Sequence, residues 1–243
     1  MRGGISGGTA ASGIEIMRTA SSDPAARRLA ADPYTLSTDR AAEPQLGPEP
    51  DFPWRRGGEI APELAGTWTG GFAMAPYNTR IVRRSNELQG WAYGRRFRYS
   101  EQVDVGSSVL APAAAALTTG LTAGMFALGN RYLRLLPRRL VAAMAPKPGT
   151  GPSRSARENG HYRVETYATT STGARYRAVI GQRGDPGYQA TSVLLGESGL
   201  ALALDSDRLS DLRGVLTPAA AMGAALLARL PAAGVVLDVT RLR

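Results

Sequence analysis

The sequence predicts an α+β fold, a mixed or antiparallel sheet covered by helices, and three observations carry that expectation. Residues His161–Gly181 hold two alternating apolar–polar runs joined by "TSTG", which reads as an antiparallel hairpin. Two helical runs carry their own start signals, Asp23-Pro24 and Thr217-Pro218, each a capping side chain followed by proline at the first helical position. Short apolar runs at "TWTGGFAMA" and "GVVLDVTRL" supply further strands.

In chain order, "RGGIS" is a short extended piece, and "GTAASGIEIMRTA" has helical spacing with Ile14 and Met17 on one face. Asp23 starts a second helix. From Asp32 to Ala65 the chain is rich in Pro, Gly and acid without periodicity, so a long surface loop is expected. Thr67–Ala75 reads as a buried strand whose paired glycines allow close backbone approach. Pro76 then precedes a helix with Ile81, Ser85 and Leu88 on one face, and Arg80, Arg83, Arg84 and Glu87 mostly on others. "WAYGRRFRYSEQVDV" reads as extended, with Phe97 and Tyr99 alternating against arginines.

Residues 105–130 run about 26 positions without a charge, long enough to cross a bilayer. They are mostly Ala, Gly, Thr and Ser, which favours a helix packed inside the protein or at an interface. The following "RYLRLLPRRLVAAMAPKP" places Leu133, Leu136, Leu140 and Met144 on one face and Arg131, Arg134 and Arg138 on another, with Pro137 as a break. Such a basic amphipathic stretch suits either a half-buried helix or an anionic lipid surface. A polar connector leads to the hairpin, where Tyr162, Val164, Thr166 and Ala168 alternate with polar residues and Tyr176, Ala178 and Ile180 form the return strand. Gln189–Leu204 and the run after Thr217 are apolar helices, and a strand closes the chain.

The opening "GGISGGT" matches three catalytic devices, and each fails on its surroundings. A hydrolase elbow needs a central strand and oxyanion loop earlier in the chain, but only five residues precede Ser6. The only histidine, His161, starts a hairpin strand. A P-loop needs lysine where Thr9 stands, and the only lysine is Lys147. A dinucleotide fingerprint needs glycines at +2 and +5 after a full strand, and neither condition is met.

Composition narrows the classes further. There is no cysteine, so disulfides, thiolate catalysis and cysteine-held metals are excluded, and no metal site is expected. That fits the cytoplasm, and the N-terminus lacks the apolar run of a signal peptide. The net charge of +9 is almost wholly arginine spread along the chain. Without a recognition motif it predicts no nucleic-acid binding.

The segments "GGISGGTAASGIEIMR", "APYNTRIVRRSNEL", "KPGTGP…RENGHYRVETYATTSTGARYRAVI", "GDPGYQATSVLLGESGLAL" and "GVLTPAAAMGAALLARLPAAG" occur in this order. Together they resemble the saccharopine-dehydrogenase-like oxidoreductases, most closely the actinobacterial trans-acting enoyl reductases that serve polyketide synthases in complex-lipid biosynthesis. Members of that family begin with an NAD(P)-binding Rossmann domain, and this chain starts after the corresponding point.

The resemblance implies that residues 1–243 form one substrate-binding and dimerisation domain, inactive alone for want of the cofactor half. It includes the Pro-rich loop 32–65 and the apolar-then-basic region 106–145. It implies NAD(P)H as cofactor, bound outside this chain, a homodimer, and a polyketide synthase or acyl carrier as partner. Its implied site residues are Ser6, Gly7, Gly8 and Thr9 at the loop, Asn78, Arg80 and Arg84 on the arginine-rich motif, and Tyr188 in "GDPGY". Their non-catalytic counterparts are a tight turn, a solvated helix face and a core ring. Two other readings stay open: a non-catalytic module at a lipid surface through 106–145, peripheral to the inner face of the plasma membrane, and an amino-acid-acting saccharopine dehydrogenase.

Overall fold

The computed structural model describes residues 6–137, 139–141 and 151–243. The extended piece expected at the start falls outside these residues except for Ser6, as do Arg138, Met144 and the connector before Gly151. The fold is α+β, as expected, and forms two compact units. One comprises residues 14–137, the other the described parts of 1–13 and 138–243. The division falls within the first helix, α1 (Gly7–Ser22).

In the 14–137 unit, Asp23 caps α2 (Pro24–Ala31) by accepting the Ala25 N–H at 2.7 Å, with Pro24 at the first position. The expected loop is irregular over residues 32–54. It then forms β1 (Arg55–Arg56), α3 (Gly57–Ile60) and a 3₁₀ turn at Pro62–Leu64, elements too short to show a period. β2 (Trp68–Gly71) is the central strand of an antiparallel sheet ordered β1-β2-β3, with β3 at Gln102–Gly106. Between them lies α4 (Ala75–Leu88), and after β3 comes α5 (Ala111–Tyr132). A 3₁₀ turn at Leu133–Leu135 ends the run before Pro137, where the ring would clash with a continuing helix.

The glycine pair of β2 does what its sequence position implies. A Cβ on Gly71 would stand 2.4 Å from Thr122 Oγ1 and 3.2 Å from Thr119 Cα, and one on Gly70 3.0 Å from the Ala115 carbonyl. The strand backbone therefore rests directly on α5, and the Gly71 N–H donates to Thr119 Oγ1 at 2.9 Å. Ala111 and Ala115 are the helix's buried residues. By length and composition Ala111–Leu135 could cross a membrane, and only 11% of its apolar window is buried, so it is not the helix packed inside the protein that the small residues suggested.

Residues 91–99 differ from the extended reading. Asn86 holds the backbone in turns, accepting the Tyr93 N–H at 2.8 Å through its side chain and donating to the Gly94 carbonyl at 3.1 Å. Gly90, Trp91 and Gly94 adopt positive φ. Side-chain bonds to the backbone here outweigh the alternating pattern.

In the other unit, Ser153 caps α6 (Arg154–Glu158). β4 (His161–Thr169), β5 (Arg175–Arg183) and β6 (Val236–Leu242) form an antiparallel sheet in that order. The expected hairpin forms, with Val164 paired with Ile180 and Ala168 with Tyr176, and Gly173 supplies the positive φ of its turn. α7 spans Gln189–Leu204, the residues read as one apolar helix. The next helix, read as continuous, is split into α8 (Pro218–Ala221) and α9 (Gly223–Arg229) where Gly223 takes φ 40°.

Candidate functional site

The densest polar constellation lies on α4, where two arginines are buried rather than forming a solvated helix face. Arg80 and Arg83 are 5% and 6% exposed, whereas Ile81 is 43% exposed. Guanidinium groups enter a protein interior only when their charge and donors are matched. Arg80 does this with a two-pronged contact to Asp51 and a bond from Nη2 to the Ala30 carbonyl at 3.1 Å. Arg83 lies 3.3 Å from Glu49, donates to the carbonyls of Pro33 and Tyr99 at 3.3 and 3.2 Å, and stacks on the Tyr34 ring. Glu49 is as buried as its partner, with 5% of its side chain exposed. Arg84 is half-buried and shares Glu87 and Thr38 with the surface of the loop.

Asn78 belongs to the same helix but faces β3. Its amide donates to Glu101 Oε2 at 2.8 Å while the Tyr99 hydroxyl donates to Oε1 at 2.9 Å. Burial and the neighbouring Glu101 carboxylate push the Tyr99 phenol far above its ordinary value. Burial, with Glu49 beside it, raises Tyr34 to about 12. Both phenols stay protonated at neutral pH and keep an O–H to donate. Every partner named is a residue of the same unit, so the network fastens loop 32–54 and the strand entry at Tyr99 to α4. Arg80, Arg84 and Asn78 serve first as structural anchors.

Ser6, Gly7, Gly8 and Thr9 form the start of α1. Ser6 is buried and caps the helix, accepting the Thr9 N–H at 3.0 Å and sharing a bond with the Thr9 hydroxyl at 2.8 Å. Gly8 and Thr9 are exposed. Tyr188 stands at the start of α7, and a Cβ on Gly151 would meet its ring at 2.2 Å. The loop before it is built round Asp185, fully buried, whose carboxylate accepts the N–H groups of Gly187, Tyr188 and Gln189, each at 3.1 Å. The sequence-derived residues thus fall in two groups, Ser6–Thr9 and Tyr188 in one unit and Asn78, Arg80 and Arg84 in the other.

The sequence reading missed Tyr34, Glu49, Asp51, Arg83 and Glu101. A signal existed: Arg80, Arg83 and Arg84 at i, i+3, i+4 form one helical stripe, and the only long charged loop nearby is acidic. A second feature is an open groove of about 240 Å³ beside β1, lined by Trp54, Arg55, Arg56, Glu59 and Trp68. There Trp54 stacks on Trp68 with centroids 5.8 Å apart, and Arg56 lies over the Trp68 ring. Among the described residues no cluster of His, Asp and Glu could hold a metal ion.

No known family profile matches the chain, and no solved structure matches it. Curated relatives do. A Mycobacterium tuberculosis protein is 68% identical over 241 residues, which are 99% of this chain and 58% of that protein. The trans-acting enoyl reductase of Mycobacterium bovis is 66% identical over 238 residues, 98% of this chain and 57% of its own length. That of Mycobacterium ulcerans is 65% identical over 237 residues, 98% and 56%. The chain is therefore a close homologue of proteins named trans-acting enoyl reductases, and it spans somewhat over half the length of the curated relatives it matches.

Proposed function

We propose that the chain takes part in reducing an enoyl thioester during complex-lipid or polyketide biosynthesis, as a saccharopine-dehydrogenase-like oxidoreductase acting in trans on a synthase or carrier-bound chain. The observation that carries this reading is the 65–68% identity to trans-acting enoyl reductases over nearly every residue. Enoyl reduction calls for a nicotinamide cofactor as hydride source. The described residues do not fit one: no strand leads into a G-x-G-x-x-G turn. At the start of α1 the Ser6 and Thr9 hydroxyls bond to each other, and Arg80, Arg83 and Arg84 are engaged by carboxylates of their own unit. We therefore place the cofactor outside these 243 residues and derive no hydride step within them.

What remains for this chain is binding and positioning. In one unit, exposed Gly8 and Thr9 with Tyr188 are our candidates for the acyl thioester. In the other, Asn78, Arg80 and Arg84 fix the acidic loop and the helix that would shape an apolar cleft.

The test uses an N-acetylcysteamine enoyl thioester with NADPH. The 243-residue chain alone is expected to bind the thioester by calorimetry without consuming NADPH. Adding the remaining segment of a trans-acting enoyl reductase relative is expected to start enoyl-dependent oxidation at 340 nm. Absence of both thioester binding and complemented turnover overturns the reading. Tight NADPH binding by the chain alone overturns the placement of the cofactor.

A further inference from the structure

The groove beside β1 gathers groups that the enoyl reductase reading does not use. Two of the chain's three tryptophans meet there, Trp54 and Trp68, stacked at 25° with centroids 5.8 Å apart. Trp54 is nevertheless 53% exposed, so much of its indole still faces solvent. The floor is fixed by the sheet. Trp68 pairs with Arg56, Thr69 Oγ1 donates to the Arg55 carbonyl at 3.1 Å, and the Gly57 N–H donates to the Thr67 carbonyl at 2.9 Å. A Cβ on Gly57 would stand 2.2 Å from Thr67 Oγ1 and 2.3 Å from the Leu64 carbonyl. Glycine therefore lets the chain turn into α3 here and bring Glu59 to the groove. Arg80, Arg83 and Arg84 are matched by carboxylates, but Arg55 and Arg56 are exposed and neither forms an ion pair among the described residues. Arg56 instead lies 5.1 Å from the centroid of the Trp68 ring.

We propose that this groove binds a nucleoside monophosphate, its base stacked on Trp54 and its phosphate held by Arg55 and Arg56. Three kinds of group choose that ligand together. An exposed indole takes a flat π ring, and a base stacks on it through a face that every base has. Adjacent guanidiniums without carboxylates of their own match a phosphate, which each can hold through two N–H groups. A carboxylate such as Glu59 only accepts, so it calls for a donor on the ligand, an exocyclic amine of the base or a sugar hydroxyl. Phenyl phosphate lacks that donor, and inorganic phosphate lacks the ring as well. At about 240 Å³ the groove is smaller than the pockets that take drug-sized ligands. It has room for one base with its phosphate, and a dinucleotide exceeds it. The inference does not rest on the enoyl reductase reading.

Tryptophan fluorescence of the 243-residue chain tests it, because two of the three indoles line the groove. AMP should quench the emission saturably, with half-saturation below a millimolar. Trp54→Leu should weaken AMP binding, read by calorimetry, by about tenfold or more with an unchanged circular dichroism spectrum. Arg55→Gln with Arg56→Gln changes only exposed side chains. It should weaken AMP by about tenfold yet leave the weaker binding of adenosine unchanged. Glu59→Ala should narrow the preference for AMP over phenyl phosphate. Absence of saturable AMP binding overturns the proposal, and so does binding that survives either the Trp54 or the arginine substitutions. Inorganic phosphate or phenyl phosphate binding as tightly as AMP would make the groove a general anion site and overturn it too. NADPH should bind here no more tightly than AMP. Tighter NADPH binding that is lost in Trp54→Leu overturns the single-nucleotide site.

Discussion

α4 and α5 are adjacent helices in sequence, lie in the same unit, and each contradicts the simple rule of apolar inside and charged outside, in opposite ways. α4 buries two arginines and exposes Ile81; α5 buries alanines and exposes leucines. The difference lies in what each helix is packed against. α4 meets an acidic, irregular loop, where backbone carbonyls and carboxylates outnumber apolar groups, so guanidinium donors are the better match. α5 meets two glycines on β2, where only the smallest side chains fit. In both, the character of a buried face is set by its partner rather than by the helix's own hydrophobic pattern.

The comparison predicts first that α4 fails when its charges are made unequal. Arg83→Met leaves Glu49 buried without its counter-charge and should cost about 3–5 kcal/mol in urea unfolding. The double substitution Arg83→Met with Glu49→Leu should recover most of that loss. If the single change costs less than about 1 kcal/mol, α4 is not held by its ion pairs, and the contrast with α5 collapses.

Next in size is the glycine contact that turns α5 round. Gly71→Ala would press a methyl group onto Thr122 and the backbone at Thr119. Since α5 must shift bodily rather than rotate one side chain, the expected loss is about 1–3 kcal/mol. Alanine at Gly120, where nothing lies within 4 Å, should leave stability unchanged or slightly raised. The same unfolding curves give both values.

These cases also show what was legible in advance. Elements with a local cause were readable: the Asp23 and Thr217 caps, the hairpin with Gly173 in its turn, the bounds of α7, and the close approach at Gly70 and Gly71. Residues 91–99 were not, because Asn86, outside the segment, holds it in turns. The burial of Arg80 and Arg83 was not legible because their partners, Asp51 and Glu49, stand some thirty residues earlier in a loop without periodicity. No period within a helix reports what a distant loop will bring to it. The candidate residues were individually visible, yet their partners were not, and the partners decide that Arg80 and Arg84 act as anchors.

A smaller effect is expected from the phenol stacked under Arg83. Tyr34 is raised to about 12 by burial and by Glu49, against about 10 when unfolded. Between these values the folded chain holds a proton that the unfolded chain has released. Its contribution is therefore complete below pH 10 and is lost as pH rises from 10 to 12. Tyr34→Phe should flatten that part of the stability–pH curve, measured by urea unfolding at fixed pH steps. An unchanged slope would mean that Tyr34 is not closed in by the α4 network.

The smallest effect is the sharpest test of the contrast. Leu128→Gln replaces a large apolar side chain in mid-helix, which in an ordinary core would cost several kcal/mol. Here Leu128 is 61% exposed and faces away from β2, so within one chain it has little packing to lose. Its unfolding free energy in urea should change by less than about 0.5 kcal/mol. A loss of several kcal/mol would place Leu128 in the chain's own core and remove the reason for calling α5 inverted.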